Sequence, residues 1–219
     1  MDAEYYAQTE RYIHEGAMSQ TTKERISIVT QIVDLFDVRK AADYGAGRGD
    51  LCIALAQKGV ETCSIDVTGN TSAYAASRYQ DAGLDIKSLS PDDFCDSPDN
   101  FLELVTCFDV FEHLDNPLRI IHRIWRKLAP EGTLVLSADL HNFNDEAHIS
   151  DHFIYEPFLI ELIENIGFVH LDSLIQGRPS LRDNQFTFGS IRLDCFRKIM
   201  ADSSPLDRYR RMAKRFNLR

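Results

Sequence analysis

The chain lacks several features that point to particular classes of protein. Its five cysteines are an odd number and include no Cys-x-x-Cys pair, so reduced, structural thiols are expected. No stretch approaches the roughly 18 apolar residues of a membrane-spanning helix, and residues 1–15 are too polar and acidic for a signal or transit peptide. Basic residues are fewer than acidic ones, 24 against 34, and the resulting net charge of −10 argues against a general nucleic-acid binder. We therefore expect a cytoplasmic protein with no membrane span and no nucleic-acid partner.

The length and the distribution of charge predict the domain organisation. A chain of 219 residues suits one α/β domain, which we place at residues 1–200. Residues 1–20 carry three tyrosines among polar neighbours and are expected to form an N-terminal cap or lid. Residues 201–219 are a basic tail, either a solvated terminal helix or a contact with an acidic partner or neighbouring subunit. We expect a monomer or a homodimer.

Strand-like apolar runs alternate with helical patterns along most of the chain. A capping box, Thr21-x-x-Glu24, is expected to begin the first helix, and Thr133 the fifth strand. A histidine-rich loop, 138–153, follows that strand, and a helix is expected at 155–166. The last two strands, 168–175 and 186–196, would pair antiparallel. The whole pattern predicts a Rossmann-like, doubly wound sheet of seven strands, mostly parallel with an antiparallel edge strand, with helices on both faces.

A glycine-rich turn follows the first strand. Gly45, Gly47 and Gly49 tolerate positive φ angles and lack a Cβ, so the backbone can approach a ligand closely. The helix that follows directs its free N–H groups toward that ligand, as in a nucleoside-cofactor site. A dinucleotide fingerprint would place a small residue at position 50, where Asp50 would instead face a pyrophosphate. A nicotinamide oxidoreductase is therefore disfavoured.

The pattern Asp43-x-Gly45-x-Gly47-x-Gly49 resembles the first motif of the class I S-adenosylmethionine-dependent methyltransferases. Residues 99–114 and 127–134 resemble the fourth-strand and helix-turn-strand motifs of the ubiquinone-biosynthesis-type branch. The resemblance extends over roughly residues 25–170. It departs from the usual aspartate at Glu103 and from the usual glycine at Glu131. It implies that the cofactor is S-adenosylmethionine and that the product is S-adenosylhomocysteine.

The resemblance also implies which residues hold this cofactor. Asp43 would interact with its ammonium group, often through water, and Asp66 would bind both ribose hydroxyls, since one carboxylate can accept two donors. Asp93 and Phe94 are candidates for the adenine, with Asp92 one register away; an ordinary surface turn is the alternative. The predicted cofactor contacts are Asp43, Gly45, Ala46, Gly47, Gly49, Asp66, Val67, Asp93, Phe94, Cys107 and Phe108.

Methyl transfer by in-line displacement depends mainly on positioning, and a general base helps when the acceptor is a hydroxyl or protonated amine. Glu112 and His113 follow the fourth strand, and His148 and His152 lie in the loop that should overhang the acceptor. The resemblance favours His148 as base or acceptor contact. Alternatives remain open: Glu112 and His113 shape the loop, the loop histidines are merely solvated, or His148, His152 and Asp151 bind a metal. The chemistry itself requires no metal.

These observations predict methyl transfer to an oxygen or nitrogen of a small-molecule metabolite. The acidic composition and short insertions disfavour large nucleic-acid substrates. The alternative is a catalytically silent module that keeps Asp43, the glycines and Asp66 to bind the cofactor and uses the loop for a partner.

Overall fold

A computed structural model describes residues 7–9, 13, 18–140, 149–171 and 192–199. These residues form one sheet whose strands are β1 (Lys40–Tyr44), β2 (Glu61–Ile65), β3 (Lys87–Leu89), β4 (Leu102–Phe108), β5 (Leu128–Ala138), β6 (Phe168–His170) and β7 (Arg192–Lys198). The strand order is β3-β2-β1-β4-β5-β7-β6. Strands β1 to β5 are parallel, whereas β7 runs antiparallel to both β5 and β6. The predicted fold class is confirmed, with β7 as the antiparallel strand beside the edge strand β6.

Six α-helices and two 3₁₀-helices lie wholly within the described ranges. The α-helices are α1 (Gln20–Phe36), α2 (Asp50–Gln57), α3 (Asn70–Asp81), α4 (Pro91–Asp96), α5 (Pro117–Lys127) and α6 (Leu159–Ile166). The 3₁₀-helices are Phe111–His113 and Ser150–Phe158. None of the helices in these ranges is long and apolar enough to cross a membrane.

The core lies on both faces of the sheet because successive residues of a strand point to opposite sides. On β1, Ala41 belongs to the apolar cluster formed with α1 and α2, whereas Ala42 belongs to the cluster formed with α5 and α6. Leu104 and Val105 on β4 divide in the same way. The central strands are therefore covered on both faces, which explains their nearly continuous apolar sequence.

Several element boundaries differ from the predictions. The capping box predicted at Thr21 and Glu24 is wrong, because the N-cap is Ser19, whose Oγ accepts from the Thr22 N–H at 3.0 Å. The fifth strand begins at Leu128, not at the predicted Thr133, since Leu128 already pairs with β4.

The last described elements are also shorter than predicted. The final helix begins at Leu159, because Pro157 disfavours the α conformation in the residue before it. Strand β6 ends at His170, before the predicted limit at position 175. The predicted start of the last strand at position 186 lies outside the described residues.

The sheet order places a crevice beside the carboxyl ends of the central strands. Strand β1 lies between β2 and β4, and its crossovers leave in opposite directions, which is the point where α/β sheets bind ligands. The turn after β1, Asp66 after β2, Asp109 after β4 and Asp139 after β5 all lie at this edge.

Candidate active site

The glycine turn adopts the conformation that its three glycines allow. Gly45, Gly47 and Gly49 have φ angles of 79°, 52° and 74°. A Cβ at Gly45 would overlap the Val110 side chain, and one at Gly49 would overlap Tyr79, so both glycines are required by packing. A Cβ at Gly47 would have no atom of a described residue within 4 Å. Within the described part of the chain, Gly47 therefore faces open space.

Asp66 is bonded to this turn. Its Oδ2 accepts from the Gly47 N–H at 2.6 Å, and its Oδ1 accepts from the Val67 N–H at 2.7 Å. Burial raises the pKa of the Asp66 carboxyl, and these two backbone hydrogen bonds oppose the rise. Both oxygens keep a further lone pair, so the carboxylate can accept from ligand hydroxyls.

Asp43 lies buried at the end of β1. Its Oδ1 accepts a 2.6 Å hydrogen bond from Thr106 Oγ1 on β4. Burial raises the pKa of Asp43 to about 6, with the hydrogen bond from Thr106 opposing it; the negative Asp66 raises this pKa further, and the positive Arg25 lowers it. A ligand cation beside Asp43 would favour the ionised carboxylate.

Side chains of helix α3 bond to the glycine turn and to the strand beside it. Arg78 donates to the Arg48 carbonyl at 2.6 Å and to Asp50 Oδ1 at 2.7 Å. Tyr79 Oη is 3.0 Å from Ser64 Oγ on β2. Sequence reasoning missed Arg78, because only the folded chain brings it to Asp50. Asp50, the residue that disfavours a dinucleotide fingerprint, is thus paired with Arg78.

The two adenine candidates have structural contacts. Asp93 completes the capping box of α4, its Oδ2 accepting from Ser90 Oγ at 2.6 Å, and this bond lowers the Asp93 pKa. The Phe94 ring is fully buried and packs edge-on against Tyr44, with ring centroids 5.7 Å apart. Their adenine assignment stays a prediction.

The remaining predicted cofactor contacts are distributed along the same edge. Ala46 lies in the turn, and its N–H donates to the Ile65 carbonyl at 3.1 Å. Val67 follows Asp66 directly. At the end of β4, Cys107 is fully buried and Phe108 is half-buried. Their assignment to the cofactor stays a prediction.

Glu112 carries a buried carboxyl in the 3₁₀-helix that follows β4. Only 2% of the residue is exposed, and Oε1 accepts from the Asp139 N–H at 3.1 Å. Oε2 is buried and has no hydrogen-bond partner among the described residues. Burial is the main cause that raises the pKa of Glu112 to about 7, with the charges of Asp109 and Asp139 adding to it.

The predicted catalytic histidines are in different situations. His152 is buried in the second 3₁₀-helix, its ring centroid 5.4 Å from that of Tyr155, and burial lowers its pKa. His113 ends the first 3₁₀-helix and is half-buried. His148 lies outside the described residues, and so does any metal site that includes it. The described ranges contain no group of three or more side chains suited to a metal ion.

Sequence reasoning also missed an ion pair at this edge. Arg25 on α1 forms two hydrogen bonds with the Asp109 carboxylate, at 2.7 and 2.8 Å. Ser137 at the end of β5 lies between them, its Oγ 3.2 Å from Arg25 Nη2 and 3.0 Å from Asp109 Oδ1. No local sequence motif predicts this ion pair, because Arg25 and Asp109 are 84 positions apart.

The sheet order is that of a doubly wound α/β fold, and the glycine turn bonded to Asp66 is its candidate site for a nucleoside cofactor. The sequence profile of a family described as a methyltransferase domain matches residues 20–191, well over half of the chain. The chain therefore belongs to this family of methyltransferase domains.

Individual relatives agree with this assignment. The chain is 31% identical over 101 residues to a ubiquinone biosynthesis O-methyltransferase of Methylococcus capsulatus, covering 45% of the chain and 43% of the relative. It is 26% identical over 113 residues to the protein of the same name from Pseudomonas entomophila, covering 51% and 48%. The match thus spans about half the length of these curated relatives.

Solved structures share the fold. Magnesium protoporphyrin IX methyltransferase from Synechocystis, solved with bound S-adenosylhomocysteine, superposes with a TM-score of 0.61 at 17% identity, covering 90% of this chain and 97% of that one. The YcgJ protein from Bacillus subtilis gives a TM-score of 0.61 at 14% identity, covering 81% and 99%. At these identities the likeness concerns the fold.

Proposed function

We propose that this methyltransferase methylates an oxygen or nitrogen of a small-molecule metabolite that has a hydrogen to donate. The observation that supports the proposal is the Glu112 carboxyl, whose Oε2 is buried and without a partner among the described residues. Val110, two residues earlier, packs against Gly45 of the glycine turn. From this contact of its neighbour we place Glu112 beside the proposed cofactor site.

The described residues fit S-adenosylmethionine. Gly47 leaves open space beside the turn, the Asp66 carboxylate can accept from ribose hydroxyls, and Asp43 can pair with an ammonium group. When bound, the cofactor supplies an electrophilic methyl group. The protein's own contribution is to hold the acceptor and to accept its proton.

The charges at the carboxyl ends of β4 and β5 favour a neutral or cationic acceptor. Asp109 and Asp139 both raise the Glu112 pKa through their negative charge, so this region disfavours an incoming carboxylate or phosphate. A hydroxyl or protonated amine would instead satisfy Oε2, because a buried polar atom without a partner is costly. A pKa of about 7 also suits a general base near neutral pH.

The histidines divide between two proposed roles. His148 remains our candidate for base or acceptor contact, on the strength of the resemblance alone. His152 is buried against Tyr155, and the Ile149 N–H donates to the Glu112 carbonyl at 3.0 Å, so His152 is suited to holding this segment beside Glu112. The curated relatives are named O-methyltransferases, which favours oxygen as the acceptor atom.

An acceptor screen with methyl-labelled S-adenosylmethionine tests the proposal. Phenols, alcohols and amines should accept label, whereas carboxylic acids and phosphates should not. Glu112→Gln should lower turnover by about 10²-fold, the lower end of the effect of a general base, with affinity for S-adenosylhomocysteine retained. Glu61→Gln on the exposed end of β2 is the matched control. Label found only on carboxylates, or full activity of Glu112→Gln, would contradict the proposal.

The same assay separates the histidines. His148→Ala should lower turnover far more than cofactor affinity, while His122→Ala, on the exposed face of α5, should change neither. Full activity of His148→Ala would remove this residue from the mechanism and leave Glu112 as the candidate base.

A further inference from the structure

Arg25 links helix α1 to Asp109, which follows β4, and to Ser137 near the end of β5. Its two terminal nitrogens bond the two oxygens of Asp109 at 2.7 and 2.8 Å. Ser137 Oγ joins both partners. The Arg25 guanidinium also lies 5.1 Å from the centroid of the Phe108 ring. Planar, two-pronged pairing of this kind fixes orientation as well as charge.

The backbone of Asp109 adopts an unfavourable conformation, which the pairing of its side chain with Arg25 helps to hold. Asp109 has a φ angle of 53°, in the left-handed region that residues other than glycine rarely adopt. Its N–H donates to the Ser137 carbonyl at 3.2 Å. Unfavourable backbone conformations persist where the surroundings hold them, and they concentrate at functional sites. Here Arg25 and Ser137 hold the turn that follows Phe108.

Arg25 also acts on Asp43 through its charge, lowering the pKa that burial raises. The positive charge comes from α1, and Asp66 brings a negative charge from the end of β2. The polar and titratable groups around Asp43 are Thr106 and Cys107 on β4, Cys52 on α2, Tyr79 on α3, Asp66 and Arg25.

We propose that Arg25 is a positioning residue for cofactor binding, which holds Asp109 and Phe108 in place and keeps a positive charge near Asp43. The inference rests on the proposed placement of Asp43 and Phe108 in the cofactor site. On this proposal, helix α1 contributes to cofactor binding, because Arg25 holds its neighbours in place only when α1 is packed against β4 and β5. Arg25 acts through its neighbours and does not touch the reacting atoms.

Binding of S-adenosylhomocysteine to the purified protein, measured by calorimetry at several pH values, tests this role. Arg25→Met should weaken binding by about fivefold near pH 6, because a pKa one unit higher would lower the ionised fraction of Asp43 from about a half to about a tenth. The loss should be smaller near pH 8, where most of Asp43 is ionised in either protein. Arg25→Lys keeps the charge but loses the two-pronged pairing. It should therefore weaken binding equally at every pH, as should Asp109→Asn.

Arg39→Met is the matched control, since Arg39 pairs with Asp37 on the surface. If Arg25→Met binds as Arg39→Met does across the pH range, the proposal is overturned. A loss of equal size at every pH for Arg25→Met would indicate a merely structural role and would overturn it as well. If Arg25→Met does not fold, Arg25→Lys and Asp109→Asn test the pairing alone, and binding by these two variants as tight as that of Arg39→Met would overturn the proposal. Failure of the unaltered protein to bind would instead count against the proposed site.

Discussion

The backbone N–H of Gly47 donates a 2.6 Å hydrogen bond to Oδ2 of Asp66, and so joins the turn after β1 to the residue after β2. The second oxygen of Asp66 is held by the Val67 N–H. The acid and the turn therefore have their relative positions before any ligand arrives, which lowers the entropy that binding must overcome.

Asp66→Ala should weaken binding of S-adenosylhomocysteine by about 1.5 to 3 kcal/mol, the scale of a hydrogen bond to a charged group. The reason is that the proposed ribose contact and the bond to Gly47 are lost together. Asp81→Ala, at the exposed end of α3, should leave the affinity unchanged. Calorimetry measures the affinity of the two variants for S-adenosylhomocysteine. An unchanged affinity for Asp66→Ala would contradict the assignment of Asp66 to the ribose.

Two glycines with equally open surroundings make a second test. Among the residues that the structure describes, a Cβ at Gly47 or at Gly59 would meet no atom within 4 Å, and both residues have positive φ angles, 52° and 87°. Alanine at either position should cost about 1 kcal/mol of folding free energy through backbone strain. We expect only Gly47→Ala to lose cofactor affinity, because its methyl group would occupy the proposed ligand space.

Urea unfolding and calorimetry of both alanine variants measure these effects. Equal affinities of Gly47→Ala and Gly59→Ala for S-adenosylhomocysteine would mean that the ligand does not approach Gly47.

Glu112 should make the protein less stable as the pH rises. Its pKa is raised from 4.5 to about 7 in the folded protein, so the folded state binds the proton more tightly than the unfolded chain. Its contribution to stability is complete below about pH 4.5 and is lost as the pH rises through about 7. Glu112→Gln removes this loss, and should be more stable than the unaltered protein by up to about 3 kcal/mol at alkaline pH.

Free energies of unfolding at about pH 5 and pH 8.5 test this expectation. Glu61→Gln should follow the unaltered protein at both values. If Glu112→Gln shows no larger advantage at the higher pH, the raised pKa is refuted. The variant that gains stability is also the one expected to lose turnover, as is common at active sites.

A substitution at Gly69 would test the prediction that the N-terminal residues form a cap. The Gly69 φ angle of 175° is one that any residue adopts, but a Cβ there would overlap the backbone of Ala7. Asn70 Nδ2 also donates to the Gln8 carbonyl at 3.0 Å, so residues 7–9 rest on the start of α3. Gly69→Ala should release this contact and speed proteolysis near the N-terminus. If these residues cap the site, S-adenosylhomocysteine should also dissociate faster.

Ser77→Ala, on the exposed face of the same helix, is the control for Gly69→Ala. Unchanged proteolysis would show that the contact with Ala7 does not hold the segment. Faster proteolysis with unchanged dissociation would show that the segment is docked but does not cap the cofactor.

The features that could be predicted from sequence are those encoded locally. The glycines, Asp43 and Asp66 follow strands at fixed spacings, and a strand buried on both faces is apolar throughout. Phe94 illustrates the limit, because an apolar residue after a strand suits a core as well as an adenine site. Arg25 and Asp109 illustrate another limit: sequence shows which residues are charged, but only the folded chain shows which charges meet.

Asp43 links cofactor binding to the exchange of protons with solvent. With a pKa of about 6, its carboxyl is about half protonated near pH 6. A ligand cation bound beside it favours ionisation, so the proton passes to the buffer. Binding near pH 6 should then release up to about half a proton per site. The measured enthalpy should accordingly vary with the ionisation enthalpy of the buffer, and this variation should fade in alkaline solution.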